Sequence, residues 1–381
     1  MGLRLQLIIF MLLRTILNTM HRMVYPFLAV FARGLGVDIT TLSLVVTARF
    51  FAGLLGPLFA PIADRRGRRF GMLVGIVIFT FGTGLVAVYP NSYTLSAALI
   101  LALFGKYMFD PAMQAYFGDR VAYEQRGTAL AVTELSWSMA FIMGVPVMAF
   151  LIARYGWTAP FPLLALLGIL MFAVIWKIIP REDKHHDPVN NSHEGYRAVF
   201  TSIPALAGIS IALWASAANE LVNLVFGVWL EDSFGLKITA LAGASAVIGL
   251  SELGGEGLVA TITDRIGKPL ALALGLTANA AASILLPFIG KTQAGALAGL
   301  FLFYISFEYV IVSHIPMMSE LVPKARATVL SLNIAGHSIG RALGALLAVF
   351  IYQQFGFLFV ALCAVIFNVT GLLALHRMMR S

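Results

Sequence analysis

The chain has 381 residues, of which 60% are hydrophobic and only 12% charged, and its mean hydropathy is +0.89. A water-soluble domain is about a quarter charged, so this composition excludes an ordinary soluble globule and makes a bilayer the solvent. The formal charge of +8 does not mark a nucleic-acid binder, because Lys and Arg fall mostly in short loops between apolar runs, where they set topology. The single cysteine, Cys363, excludes an internal disulfide.

A spanning helix needs roughly 20 mostly apolar residues. In chain order the pattern predicts twelve of them. The first half holds about 5–31, 39–63, 70–89, 93–119, 127–153 and 158–179; the second holds about 200–230, 239–262, 268–289, 292–318, 327–352 and 355–376. The first run contains Arg14 and Arg22 and lacks a small-residue cleavage site, so it reads as a span and not as a cleavable signal. The expected organisation is an N-terminal six-helix bundle over 1–179, a polar linker over 180–198 and a C-terminal six-helix bundle over 199–381. The paired His185 and His186 of the linker read as solvated, and neither a metal site nor a cofactor is expected. Seventeen Lys and Arg lie at span ends on one side, against four (Arg33, Arg154, Lys237 and Lys291) on the other. The excess marks the cytoplasmic side, which places both termini and the linker inside.

The two halves repeat. Asp64-Arg65-Arg66-Gly67-Arg68 returns as Asp264-Arg265-Ile266-Gly267-Lys268, and at the same offset of 200 Gly144 matches Gly344 and Tyr155-Gly156-Trp157 matches Phe355-Gly356-Phe357. A duplicated apolar unit points to a transporter with its path between the halves. The loop D-R-x-G-[RK] after span two, repeated after span eight, resembles the signature of the major facilitator superfamily. The resemblance covers the whole chain. Its closest tie is to the drug–proton antiporter and sugar-efflux branch, through Gly144-Val145-Pro146 followed by Gly156-Trp157, with Pro111 and Asp119 in span four. The arginine that this branch carries in span four is absent between Ser92 and Asp119, and the glycine four residues before the aspartate is Ala60, and Ala260 in the repeat. The resemblance implies an all-α membrane fold of twelve helices in two pseudo-symmetric bundles, rocking about a central site. It also implies a conformational latch formed by Asp64, Arg65, Gly67, Arg68, Asp264, Arg265 and Gly267.

Charges inside the spans are costly and are functional candidates by default. Spans three, six, nine and twelve carry none in their apolar stretches, and the other eight each carry at least one. This period of three predicts which helices line a cavity. At about 100° per residue, Arg14, Asn18, His21, Arg22 and Tyr25 share one face of span one, and Lys106, Asp110 and Gln114 one face of span four. Asn333, His337 and Arg341 share a face of span eleven, and Ser245, Glu252 and Glu256 one of span eight. Arg49, Glu134, Trp137, Glu220, Asn223 and Glu308 add to spans two, five, seven and ten. The candidates to meet substrate are Arg14, Asn18, Arg22, Tyr25, Arg49, Lys106, Trp137, Asn223, His337 and Arg341. The acids able to carry a proton are Asp110, Glu134, Glu220, Glu252 and Glu308, with Asp110 expected to be tied to Lys106. Structural pairing accounts for about half of these charges, including Arg341 with Glu308 or Glu252 and the arginines with Glu134. The expected activity is alternating-access transport of a small organic solute, anionic or zwitterionic, with a proton as counter-ion and in the export direction. A uniporter or symporter of a neutral sugar or amphipathic drug, or a receptor on the same fold, is the alternative. The expected partners are the solute, protons and lipid, without nucleic acid, for a monomer in a bacterial inner membrane. No nucleophile elbow, metal cluster or phosphate loop suggests an enzyme.

Overall fold

The structure is a computed structural model that describes residues 2–55, 66–121, 131–180, 192–322 and 325–380. The described residues are helical, without a strand. In chain order the helices are α1 (Leu3–Arg22), α2 (Leu28–Leu35), α3 (Ile39–Gly53), α4 (Arg68–Val88) and α5 (Ser92–Arg120). They continue with α6 (Ala131–Tyr155), α7 (Pro160–Ile178), α8 (Ser192–Phe200), α9 (Ile203–Phe234) and α10 (Ile238–Thr263). The last four are α11 (Lys268–Ile289), α12 (Gln293–Leu321), α13 (Arg326–Phe355) and α14 (Phe357–Arg380). Among the described residues, eleven helices are long and apolar enough to cross a membrane; α2 and α3, bent by 116° at their junction, make a twelfth if counted as one span.

Two boundaries differ from the sequence pattern. Span one is not one helix over 5–31. It stops at Arg22, and Met23–Phe27 forms a turn before α2. Pro26 lacks an N–H and its ring would strike the carbonyl of residue 22, which ends the helix there. The expected linker over 180–198 runs into a helix, α8, whose Val199 is buried with Ala205, Met318 and Val329. The paired histidines lie outside the described residues.

By its contacts the chain divides into one unit of Met1–Pro188 with Ile238–Gly249, and another of Val189–Lys237 with Leu250–Ser381. In the first, α1 packs on α5, α6 and α7, and α4 lies against α5 and α7. In the second, α9 is the central helix, packed on α12, α13 and α14, while α11 lies against α12 and α14. Large apolar side chains such as Phe81, Ile169, Phe288 and Ile366 are exposed on α4, α7, α11 and α14, as a lipid-facing surface requires.

The repeated glycines have a steric cause. A Cβ on Gly144 would stand against the Thr19 hydroxyl, so α6 touches α1 there. A Cβ on Gly344 would lie 2.6 Å from the Ala217 carbonyl and 2.8 Å from Glu220 Cβ, so α13 touches α9 in the same way. Close approach at small residues is the usual means by which membrane helices associate. Gly67 and Gly267 serve a different need, with φ of 92° and 87°, a region that side-chain-bearing residues avoid.

Candidate functional site

Within the first unit, α1, α5 and α6 bring the predicted residues into two groups. In the first group Arg14 donates from Nε and Nη2 to the two Asp110 oxygens at 3.1 and 3.3 Å, and from Nη1 to the Thr133 carbonyl at 3.1 Å. Its Nη1 is also 2.7 Å from Glu134 Oε1. Lys106, one turn before Asp110 on α5, places Nζ 2.7 Å from Asp110 Oδ2 and donates to Asn18 Oδ1 at 2.6 Å. Asn18 in turn donates to Ser136 at 3.1 Å. Two cations face two carboxylates, and each side-chain nitrogen of Arg14 and Lys106 finds an oxygen. Charge-assisted bonds of this kind hold helices at fixed register. The group is closed on itself, as one-turn spacing of Lys106 and Asp110 leads one to expect.

The second group lies beside the end of α1. Arg22, only 2% exposed, sets its guanidinium 3.5 Å from the Phe141 ring centroid and 4.3 Å from that of Trp137, and donates to the Trp137 carbonyl at 2.9 Å. Arg49 of α3 has no exposed surface. It donates to the His21 carbonyl at 3.2 Å and to the Tyr25 hydroxyl at 3.1 Å, with the Phe50 ring 4.9 Å away. Among the described residues its Nε has no hydrogen-bond partner and Arg49 makes no ion pair. The break in α1 explains the geometry. The helix ends at Arg22, so the His21 carbonyl sits in the last turn, where the macrodipole is negative. Arg49 binds that end. The break also swings Tyr25 off the α1 face and onto Arg49. The His21 ring lies against Trp137, Phe50 and Tyr25 at 5.7, 6.1 and 6.2 Å.

The second unit carries acids and amides. Glu220 is fully buried on α9 and accepts a 3.4 Å bond from Asn223, which accepts from the Tyr304 hydroxyl of α12 at 2.8 Å. Glu252 on α10 and Glu308 on α12 are buried, 2% and 7% exposed. His337 pairs with Ser216 at 2.7 Å and Asn333 at 3.3 Å, and Arg341 stands one turn further along α13, half-buried.

The residues expected to latch are placed in part. Asp64 and Arg65, and the side chain of Asp264, lie outside the described residues. Arg68 pairs with Asp119 at the end of α5 at 3.2 Å, and Lys268 pairs with Glu320 at the end of α12 at 2.5 Å. Each half thus ties the start of its third span to the end of its fourth. Arg265 is exposed. The Glu320 partner was not legible from the repeat, because the offset from Asp119 is 201 and position 319 is serine. Two further features escaped the pattern. Phe141 and Phe50 supply ring faces to the arginines. In the second unit Asn279 of α11 donates to the Phe303 carbonyl at 2.7 Å and to Ser306 at 3.1 Å, and accepts from Asn368 of α14 at 2.8 Å. An amide in an otherwise apolar span is the signal that marks such a clasp.

The sequence profile of the Major Facilitator Superfamily matches residues 9–319. The chain belongs to the major facilitator superfamily. It is therefore a multi-pass membrane transporter of a solute. Relatives by sequence include the sialic acid transporter NanX of Escherichia coli (strain K12), 25% identical over 291 residues, covering 75% of this chain and 71% of NanX. Another is a probable sugar efflux transporter of Pasteurella multocida (strain Pm70), 22% identical over 378 residues, covering 96% and 90%. Among solved structures, a mutant of the nucleoside transporter NupG superimposes with a TM-score of 0.80 over 100% of this chain and 99% of NupG, at 15% identity. That likeness concerns the fold. The expected twelve-helix fold and family are those found.

Proposed function

We propose that this transporter carries a small organic solute bearing a carboxylate or similar anion, by alternating access and in exchange for protons. The observation that carries the reading is Arg49. A fully buried guanidinium held, among the described residues, by a carbonyl and a hydroxyl, with Nε–H unpaired there, has its charge offset in part by the end of α1. Burying a charge in the bilayer costs about 2.5–3.5 kcal/mol on insertion scales, so retaining one without a carboxylate suits a site completed by an anionic ligand. Arg22, stacked on Trp137 and Phe141, adds a second guanidinium next to the same end of α1, of the planar kind that suits carboxylates. Arg14 and Lys106 are occupied by Asp110 and Glu134, and in this reading they organise α1, α5 and α6 and do not touch the solute. Glu220, buried and joined through Asn223 to Tyr304, is the acid this reading assigns to the proton. Export, and an inner-membrane setting with both termini cytoplasmic, follow from the branch resemblance and the basic side. The names of two relatives, a sialic acid transporter and a probable sugar efflux transporter, agree with a small organic solute.

The test is counterflow in proteoliposomes, using sialic acid, a simple monocarboxylate and an uncharged hexose, with and without a pH gradient. Uptake of an acid that follows the gradient supports the proposal. Exchange of the hexose alone, or flux indifferent to pH, gives the uniport or neutral-solute reading instead. No flux of any solute is the result expected of a receptor.

A further inference from the structure

A groove of about 500 Å³ opens on the lipid-facing side of the second unit, between α10, α11 and α12. Its walls are Leu258 and Ile262 of α10, Leu274, Ala278 and Ala281 of α11, and Leu302 of α12. The two residues on its wall that carry hydroxyls are already engaged. Ser306 donates to carbonyls of its own helix at 2.8 and 2.9 Å and accepts from Asn279. Tyr309 accepts from Thr263 at 3.4 Å. The groove is therefore lined almost entirely by hydrocarbon.

The repeat shows how it arises. In the first unit a Cβ on Gly75 would lie 2.5 Å from the Gly105 carbonyl, and one on Gly105 2.6 Å from the Gly75 carbonyl, so α4 and α5 meet backbone to backbone. The residue 200 positions after Gly105 is Ile305, whose side chain rests against Gly254 of α10, 3.2 Å from where a Cβ would sit. The bulky Ile78 and Phe81 of α4 have Ala278 and Ala281 as counterparts on α11. Ile305 thus stands where the first unit has a glycine, and two alanines stand where it has large side chains.

We infer that the groove holds one acyl chain of a membrane phospholipid, with its anionic headgroup at Arg265. The depth fits. From Ile266, beside the first residue of α11, to Leu285 the lining follows nearly the whole helix, about 25 Å at a rise of roughly 1.5 Å per residue. The hydrocarbon core is about 30 Å thick, so the groove runs through most of its depth and takes an extended acyl chain lying along α11. One end lies at Ile262 and Ile266, next to Arg265. Arg265 is exposed and makes no ion pair among the described residues, whereas Lys268 nearby is neutralised by Glu320. A cation at the headgroup level draws a phosphate. The inference rests on the membrane fold and not on the choice of solute.

The test uses the full-length protein in vesicles that contain phosphatidylglycerol or phosphatidylcholine with a photoactivatable diazirine on the acyl chain, followed by peptide mapping of the adducts. The groove peptides around Leu258 and Leu302 are expected to be labelled well above the α14 surface at Ile366 and Leu373. Phosphatidylglycerol should label about fivefold more than phosphatidylcholine, the effect of one basic residue near the headgroups. Arg265→Ala should abolish that preference while acyl labelling persists. The double change Ala278→Ile with Ala281→Phe restores the first unit's residues and should remove groove labelling. Labelling of the wild-type protein that is uniform over its lipid-facing surface overturns the proposal without recourse to any variant. So does labelling that survives filling of the groove, equal labelling by the two lipids, or displacement of the lipid by transported solute, which would make the groove a solute entry.

Discussion

Arg49→Met is the most informative change in this transporter. It removes a charge while keeping an unbranched apolar chain in contact with Phe50 and Tyr25. Stability loses two charged hydrogen bonds, to the His21 carbonyl and the Tyr25 hydroxyl, and an attraction to the end of α1 of about 0.3–1 kcal/mol. It gains relief of a buried charge that costs about 2.5–3.5 kcal/mol. These terms are of similar size, so the variant is expected to remain folded. Binding has no such compensation. A hydrogen bond to a charged group contributes about 1.5–3 kcal/mol, so the loss of the one offered by Nε raises Kd for an anionic solute about 10- to 150-fold. Arg49→Lys keeps the charge but not the planar fork, and its affinity should fall between the two. The assay is calorimetric titration of the purified proteins with the acid that shows counterflow. A folded Arg49→Met protein that binds this acid with unchanged Kd refutes the reasoning.

Two further outcomes concern packing. Gly344→Ala pushes a methyl group to 2.6 Å from the Ala217 carbonyl; overpacking of this sort costs about 1–3 kcal/mol, and its melting temperature in detergent should drop, whereas Gly84→Ala, with nothing within 4 Å, should leave it level or raise it. Asn368→Leu leaves the buried Asn279 oxygen without its donor, a loss of about 1–3 kcal/mol. Adding Asn279→Leu should recover part of that loss, and strictly additive losses in thermal unfolding would show that the two amides do not act as a pair.

Much of this architecture is written in the sequence because lipid imposes a coarse code. Runs of about 20 apolar residues and an offset of 200 fix the spans and the family resemblance, and one-turn spacing announces Lys106 with Asp110. What was not legible depends on residues that meet only through the fold. Phe141 looks like any of 28 phenylalanines until α6 sets it over Arg22. Asn279 and Asn368 are 89 residues apart. The turn at Met23–Phe27 was signalled by Pro26, yet hydropathy alone runs straight through it. It was this break, and not the continuous face expected of span one, that brought Tyr25 to Arg49.

Helix α6 holds one residue more than its shape as a regular α-helix would need. Thr133, Ser136 and Ala140 are buried at intervals of three and four, and the same intervals resume with Val145, Met148 and Ile152 after a wider turn over Ala140–Gly144. A continuous stripe would have resumed at position 144. The wide turn thus separates two segments with independent angular settings. Excising one residue from it, such as Ile142, would restore ordinary winding and rotate everything from Val145 to Tyr155 by about 100°, turning Met148 and Ile152 from protein toward lipid. Single-residue deletions in this transporter are therefore sharply position-dependent, and a homologue lacking this turn must place its outer α6 side chains by a different sequence register.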